Sequence, residues 1–392
     1  MYSLLLALIY LGFISLGLPD SLLGSGWPVM HAVFQVPVPY MGFISMIVSG
    51  CTIVSSLVSH KVTRRFGTEI VTVVSVFLSA AALLGFSFAT EFWMLVILAF
   101  PYGLGAGAID AALNNYVALH YASKHMSWLH CFWGVGTIIS PFVMSYALST
   151  SAWNNGYRIV SCIQVMIGLL FLFTLSLWKV NRGKSVEKRP EKHVGIIGAL
   201  KIKGVPYLLF GFFAYCAAEA TTMGWASTYF FNVKGVDGET AAAYASLVFI
   251  GLTAGRFFGG FLMDKLGDRK MIQLGTVITI CGIVCLWIPA ESERLAVAAF
   301  VIIGLGYAPI YPCIIHATPD NFGAENAGAI IGIQIASAYV GCTFMSPLYG
   351  LLGRYLGYGM MPAYLLIFIV LMICMTEKTF QITQKRAVFN EE

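Results

Sequence analysis

Two acids stand in apolar stretches of this chain, each in the same company. Around the first run Gly12, Phe13, Pro19, Asp20, Gly26 and Trp27; around the second run Gly211, Phe212, Ala218, Glu219, Gly224 and Trp225. A carboxyl held among apolar groups is expensive and is kept where it has a use. Desolvation lets such a group take up and release a proton near neutral pH, and its oxygens can also accept from the hydroxyls of a solute. For Asp20 the bland alternative is an acid capping or snorkelling at the outer end of its span. Glu219 falls near the middle of its span, and Tyr215, one turn earlier on the same face, is placed to donate to it. Asp110 and Asn114 are likewise four apart on one helix face, with Asn115 adding a second amide. A carboxylate beside amides suits hydroxyls, because each hydroxyl both donates and accepts.

Other polar and aromatic residues cluster around these positions. His130 has a reference pKa near neutrality and either relays protons or sits at the cytoplasmic interface. Arg256, deep in an apolar run, either pairs with an acid, Glu219 being a candidate, or snorkels. Trp27 and Trp225, with Trp128 and Trp133, offer indole faces for a sugar ring, or else serve packing and interfacial belts. Tyr307 and Tyr311 are one turn apart. Gln334 is a polar candidate whose alternative role is an interhelical hydrogen bond.

The elements that position these groups follow from composition. The 392 residues are 58% hydrophobic and only 10% charged, against about 25% charged in soluble domains. Apolar windows predict twelve spans, at 2–24, 40–60, 68–89, 92–119, 126–149, 157–178, 205–231, 240–263, 270–289, 294–315, 326–350 and 357–376. They are too long and too evenly apolar for barrel strands. The apolar N-terminus lacks a basic leader region and reads as the first span. With both termini cytoplasmic, the outer loops hold only Arg158, Lys234, Arg294 and Arg354. Apart from Arg256, every other lysine and arginine falls inside, as the positive-inside rule requires. The net charge of +5 therefore reflects topology and not nucleic-acid binding.

The predicted organisation is an N-terminal six-helix half at 1–180, a basic cytoplasmic linker at 181–204, a C-terminal six-helix half at 205–377 and a cytoplasmic tail at 378–392. The halves echo each other. Gly103 and Gly105 correspond to Gly304 and Gly306, Ser140 and Pro141 to Ser346 and Pro347, and Arg64 to Gly67 in the first half corresponds to Asp264 to Gly267 in the second. Parallel repeats imply a pseudo-two-fold axis along the membrane normal, with a solute site at the interface of the repeats.

The stretch with Gly260, Asp264, Gly267, Arg269 and Lys270 resembles the signature loop of the major facilitator superfamily, in its second-half position. An acid and bases at helix ends can form a charge-and-dipole lock, and the bland alternative is an ordinary basic turn. The first-half copy departs from the pattern, with Arg64 in place of the acid and His60 in place of the first glycine. Three further stretches are similar to the fucose–galactose–glucose proton symporter branch: Leu18 to Leu23, Gly105 to Asn115, and Trp128 to Gly136. The resemblance implies the major facilitator fold, an all-α membrane protein of twelve transmembrane helices in two six-helix halves. It also implies proton coupling and sugar binding at Asp20 and Asp110, the latter one methylene shorter than the branch's glutamate.

The reading is a proton-coupled symporter of a small polar solute, a monosaccharide, working by alternating access. Asp20, Asp110 and Glu219 are the proton-coupling candidates. Asn114, Asn115, Trp27, His130, Tyr215, Trp225, Tyr307, Tyr311 and Gln334 are the solute-binding candidates, and Gly260, Asp264, Gly267 and Arg269 the conformational lock. The alternative is a proton-driven exporter of drug-like or lipid-like molecules. No catalytic constellation stands out, and the nine cysteines lack the CxxC spacing of zinc or redox sites. The expected partners are the solute, protons as coupling ion and membrane lipid, with no nucleic acid, metal or other cofactor. The expected setting is a bacterial cytoplasmic membrane, with the monomer as the working unit.

Overall fold

The computed structural model of the chain describes residues 2–182, 195–288 and 293–391, and every regular element among them is a helix. In lipid each backbone N–H and C=O must be satisfied within the chain, and a helix does so locally. Contacts divide the chain into two compact units, Met1–Tyr116 with Leu129–Glu191, and Val117–Trp128 with Lys192–Glu392.

Unit 1 holds α1 (Tyr2–Gly17), α2 (Leu22–Val33), α3 (Met41–Phe66), α4 (Thr68–Phe86), α7 (Trp153–Phe173) and α8 (Leu175–Arg182), and most of α5 (Phe92–His120) and α6 (Ser123–Thr150). Leu22, Trp27, Met30, Ile44, Leu83, Phe86, Met144 and Tyr157 belong to one buried apolar cluster. Unit 2 holds α9 (Ile196–Leu200), α10 (Val205–Lys234), α11 (Gly238–Leu266), α12 (Asp268–Trp287), α13 (Glu293–Tyr307), α14 (Ile310–His316), α15 (Thr318–Phe322), α16 (Ala324–Leu356) and α17 (Met361–Glu391). In it α10 packs along α11, α16 and α17, and α13 along α11 and α12. Large apolar side chains such as Phe142, Phe173, Phe210 and Phe258 point outward, as lipid-facing surface should.

Eleven helical runs are long and apolar enough to cross a membrane. The twelfth predicted span is α10. It has 30 residues, enough for about 45 Å at 1.5 Å per residue. Glu219, Thr221 and Thr222 dilute its apolar character, so the helix with the weakest membrane signature carries a charged cluster. The result is the expected all-α membrane fold.

Several boundaries differ from the sequence reading. The first span does not end at 24: the helical run continues to Val33 and breaks at Leu18 to Ser21. Asp20 therefore lies in a mid-run break and not near the outer end of the span. Gly17 and Pro19 disfavour helix there, the second because proline has no N–H to give. The tenth span is likewise two helices, α13 and α14, parted at Ala308 and Pro309. Of the predicted linker, residues 183–194 lie outside the described residues, and 196–200 form the short helix α9. The last helix runs past 377 to Glu391.

Candidate functional site

The first cluster is built on the break in the first span. There the Asp20 amide bonds the Gly17 carbonyl at 3.2 Å and the Leu22 amide bonds the Pro19 carbonyl at 3.1 Å. This turn projects the Asp20 carboxylate sideways. Tyr102 of α5 donates to one oxygen at 3.2 Å, and Trp133 of α6 donates to the other at 2.8 Å. The Trp133 contact depends on two facing glycines. A Cβ at Gly17 would lie 2.2 Å from the Trp133 carbonyl oxygen, and one at Gly136 would lie 2.4 Å from the Ile14 carbonyl oxygen. Backbone thus meets backbone between α1 and α6, and the indole reaches the acid.

A second chain of bonds, also in unit 1, runs Asp110, Asn114, His130. The Asn114 Nδ2 donates to the Asp110 carboxylate at 2.7 Å, and His130 Nε2 donates to Asn114 Oδ1 at 3.1 Å. Asp110, Asn114 and His130 are 6%, 0% and 6% exposed. His130 is thus inside the unit and not at an interface, its ring edge-on to Phe13 at 5.2 Å. Asn115 is half-buried beside them, and its buried Oδ1 has no hydrogen-bond partner.

The third cluster lies in unit 2. Arg256 of α11 pairs with Glu219 of α10 through Nη2 and Oε1 at 3.3 Å, the side chains being 4% and 14% exposed. Tyr215 Oη lies 2.9 Å from that same Oε1 and 3.0 Å from the Tyr307 carbonyl oxygen. One phenolic proton therefore faces two acceptors. Thr222 and Tyr307 share a hydrogen bond at 3.0 Å. Tyr311 is half-buried and packs on Phe212 at 4.6 Å and Tyr215 at 6.2 Å. Close backbone contact of α11 with α13 sets the cluster's width: a Cβ at Gly251 would lie 2.3 Å from the Val301 carbonyl oxygen.

The signature stretch forms a fourth group. Asp264 pairs with Lys124 at 2.7 Å, and Arg269 with Glu377 at 2.6 Å. Gly267, at φ +75°, supplies a conformation that side-chain-bearing residues avoid and lets α12 start directly after α11. Gly260 leaves the space for Trp128, since a Cβ there would lie 2.4 Å from the indole nitrogen. Asp268 accepts from Ser123 through one oxygen, and its other oxygen lies 2.7 Å from His316 Nδ1. His316 Nε2 is 3.0 Å from the Tyr121 carbonyl oxygen. All of these residues belong to unit 2, although the helices that flank Val117–Trp128 return to unit 1.

Three predicted binding residues lie apart from these clusters. Trp27 is 3% exposed, inside the apolar cluster of unit 1, and donates to the Val38 carbonyl. Trp225 donates to the Ser346 carbonyl at 2.9 Å and stacks on Tyr358. Six helical residues turn the chain through roughly 600°, so Trp225 leaves its helix on a different side from Glu219. Gln334 is fully buried and accepts from Thr318 at 2.9 Å, while its Nε2 has no partner.

Sequence reasoning passed over Tyr102 and Thr222 and gave Trp133 no specific partner. Thr222 carried a legible signal, three residues after Glu219 on the same face. Tyr102 and Trp133 reach Asp20 from other helices, across 82 and 113 residues of chain, which no local pattern records.

Acids on apolar helices, Asp20 at a helix break and Asp110 and Glu219 within continuous helices, inside an all-helical membrane fold point to a membrane transporter. A model of the Major Facilitator Superfamily matches residues 9–346 and also 244–386, and the chain belongs to that family. An uncharacterized transporter of Sinorhizobium fredii is 24% identical, over 83% of this chain and 85% of its own. A cis,cis-muconate transport protein of Acinetobacter baylyi is also 24% identical, over 71% and 72%. The solved fucose:proton symporter of Escherichia coli shares the fold, with a TM-score of 0.77 at 16% identity over 96% of this chain and 98% of that one.

Proposed function

We propose that the protein is a proton-coupled symporter of a small polar solute of the monosaccharide class, working by alternating access in a bacterial cytoplasmic membrane. The observation that carries this reading is the pair of acid networks in unit 1, Asp20 with Tyr102 and Trp133, and Asp110 with Asn114 and His130. Asp20 has two donors and Asp110 one that hold the charged form, and a proton bound at either carboxyl would compete with them. Amide, imidazole and phenol groups beside them match the hydroxyls of a sugar. The fold shared with a fucose:proton symporter supports the reading, as does the resemblance of the stretches around Asp20 and Asp110 to that branch.

In this proposal Asp20 and Asp110 must be neutral before the loaded carrier turns, which ties proton entry to solute entry. An inward proton contributes about 2.3 kcal/mol per 100 mV of membrane potential. The ties of Asp264, Arg269 and Asp268 act as the conformational lock. The test is reconstitution into vesicles with an imposed pH gradient and a panel of labelled sugars. Asp20→Asn and Asp110→Asn should abolish accumulation while exchange of preloaded solute survives. Accumulation by both variants at the wild-type level defeats the proposal.

A further inference from the structure

Behind the break in the first span lies a small cavity, wholly within unit 1. Ser15 of α1, Pro19 of the break, Ser79 of α4, Tyr102 of α5 and Gln164 of α7 line it. Its free volume is about 10 Å³, room for one water molecule and no more. Tyr102 also donates to Asp20 at 3.2 Å. One side chain therefore joins the wall of a closed cavity to Asp20, which is itself exposed.

Gln164 is the reason to expect an occupant. In a continuous helix the Ser15 carbonyl would accept from the amide of residue 19, but that residue is proline and has no N–H. Gln164 Nε2 takes its place, donating to the Ser15 carbonyl at 2.8 Å. A carbonyl only accepts, so this bond fixes which end of the Gln164 amide is which. The other end, Oε1, is buried without a hydrogen-bond partner, in a residue only 1% exposed. Buried polar atoms are ordinarily bonded, to protein or to an ordered water. The cavity beside Gln164 carries three hydroxyl-bearing residues, Ser15, Ser79 and Tyr102, and a hydroxyl both donates and accepts. A water there has the two to four polar partners that a buried water needs. No charged side chain lines the cavity, which favours water over a coupling cation.

Resting on the symport reading above, we infer that this cavity binds one water molecule on Gln164 Oε1, and that Gln164, acting through this water and Tyr102, is a positioning residue for the proton step at Asp20. The water bonds the Tyr102 oxygen and keeps the phenolic proton turned to Asp20, which supports the ionised carboxylate. The groups that face Asp20 are Tyr102 from α5 and Trp133 from α6, and its charge is also felt at Asp110 of α5.

The water is tested by footprinting the full chain in detergent with hydroxyl radicals made from water by X-ray pulses. Val76 and Ile109 also line the cavity and are buried. Both should be labelled in the wild type, and both should incorporate heavy oxygen more slowly than surface residues after mixing into heavy-oxygen water. Gln164→Leu should lose the label at both. Val76→Ile, whose extra methyl fills the space while every polar group stays, should lose it at Ile109. The positioning role is tested by the pH profile of uptake in vesicles. Uptake needs a protonated Asp20 and so falls as pH rises. With the ionised form less supported, half-maximal uptake should move to higher pH in both variants, by roughly half a unit to one unit. Gln164→Leu also gives up the bond to Ser15 and should melt lower, so Val76→Ile separates the water from packing. An unlabelled Ile109 in the wild type overturns the site. Labelling that changes when sodium is left out assigns the cavity to a cation and also overturns it. An unshifted pH profile in Val76→Ile overturns the positioning role, and in all three cases the symport reading stands. A wild type that accumulates no sugar defeats that reading and the positioning role with it, and the footprint alone then decides the water.

Discussion

At the scale of single residues, the donors around an acid matter as much as the acid. Asp20 has two donors from two helices, and removing one hydrogen bond to an ionised group costs about 1.5–3 kcal/mol. Trp133→Phe should therefore lower proton-driven uptake by about 10- to 100-fold, with unchanged expression, as measured by initial rates in vesicles. Glu219 tests a different balance. Glu219→Ala removes the carboxylate that Arg256 pairs with, and breaking a buried pair from one side costs about 3–5 kcal/mol. The variant should melt well below wild type in a detergent thermal-shift assay, and Glu219→Gln should lie between the two. Equal melting of Glu219→Ala and wild type would mean that the pair contributes nothing to stability. Much of this chemistry was legible as residue type. Asp20, Asp110 and Glu219 stand out because lipid tolerates few acids, and Tyr215 follows from the helical repeat. Trp27 and Trp225 flank acids in sequence, but their indoles bond the Val38 and Ser346 carbonyls and not those acids.

At the scale of elements, one break, at Leu18 to Ser21, sets the position of Asp20, while Asp110 and Glu219 are placed by continuous helices. The turn at Leu18 to Ser21 and the parting at Ala308 and Pro309 interrupt apolar runs that a hydropathy window reads as continuous. Apolar content reports burial and not helical continuity, so the spans were legible and the breaks were not. Helix spacing was legible only as an excess of small residues; which glycine faces which backbone is a tertiary fact. The Gly17 and Gly136 contact gives a direct test. Gly17→Ala forces a methyl into the Trp133 carbonyl, and overpacking of this kind costs about 1–3 kcal/mol. The expected result is a lowered melting temperature together with loss of uptake, because Trp133 moves away from Asp20. Gly24→Ala, where a Cβ would meet nothing within 4 Å, should leave the melting temperature unchanged.

At the scale of the whole molecule, the segment Val117–Trp128 is held in unit 2 by Ser123, Lys124 and the Tyr121 carbonyl, while its flanking helices return to unit 1. Both ring nitrogens of His316 face acceptors, the Asp268 carboxylate and the Tyr121 carbonyl, so the imidazole bridges the segment to α12. His316→Phe should speed amide hydrogen exchange across 117–128 by several-fold and change the turnover rate, whereas exchange around Asp110 stays the same. Unaltered exchange in 117–128 would remove His316 from the lock. The ion pairs of Asp264 and Arg269 were legible as charges at helix ends. The partners of Asp268 were not, because Ser123 and His316 lie 145 and 48 residues away from it.

The hydrogen bonds described around Asp20 and Asp110 lie within one unit, and those around Glu219 and Arg256 within the other. The two sets of groups are thereby written in separate parts of the gene, Asp20 and Asp110 in the first and Glu219 and Arg256 in the second. Drift in one part can alter its own acids and leave the other part's untouched, and a chimera joining this first unit to a relative's second unit would keep Asp20 and Asp110 and take the newcomer's residues at 219 and 256.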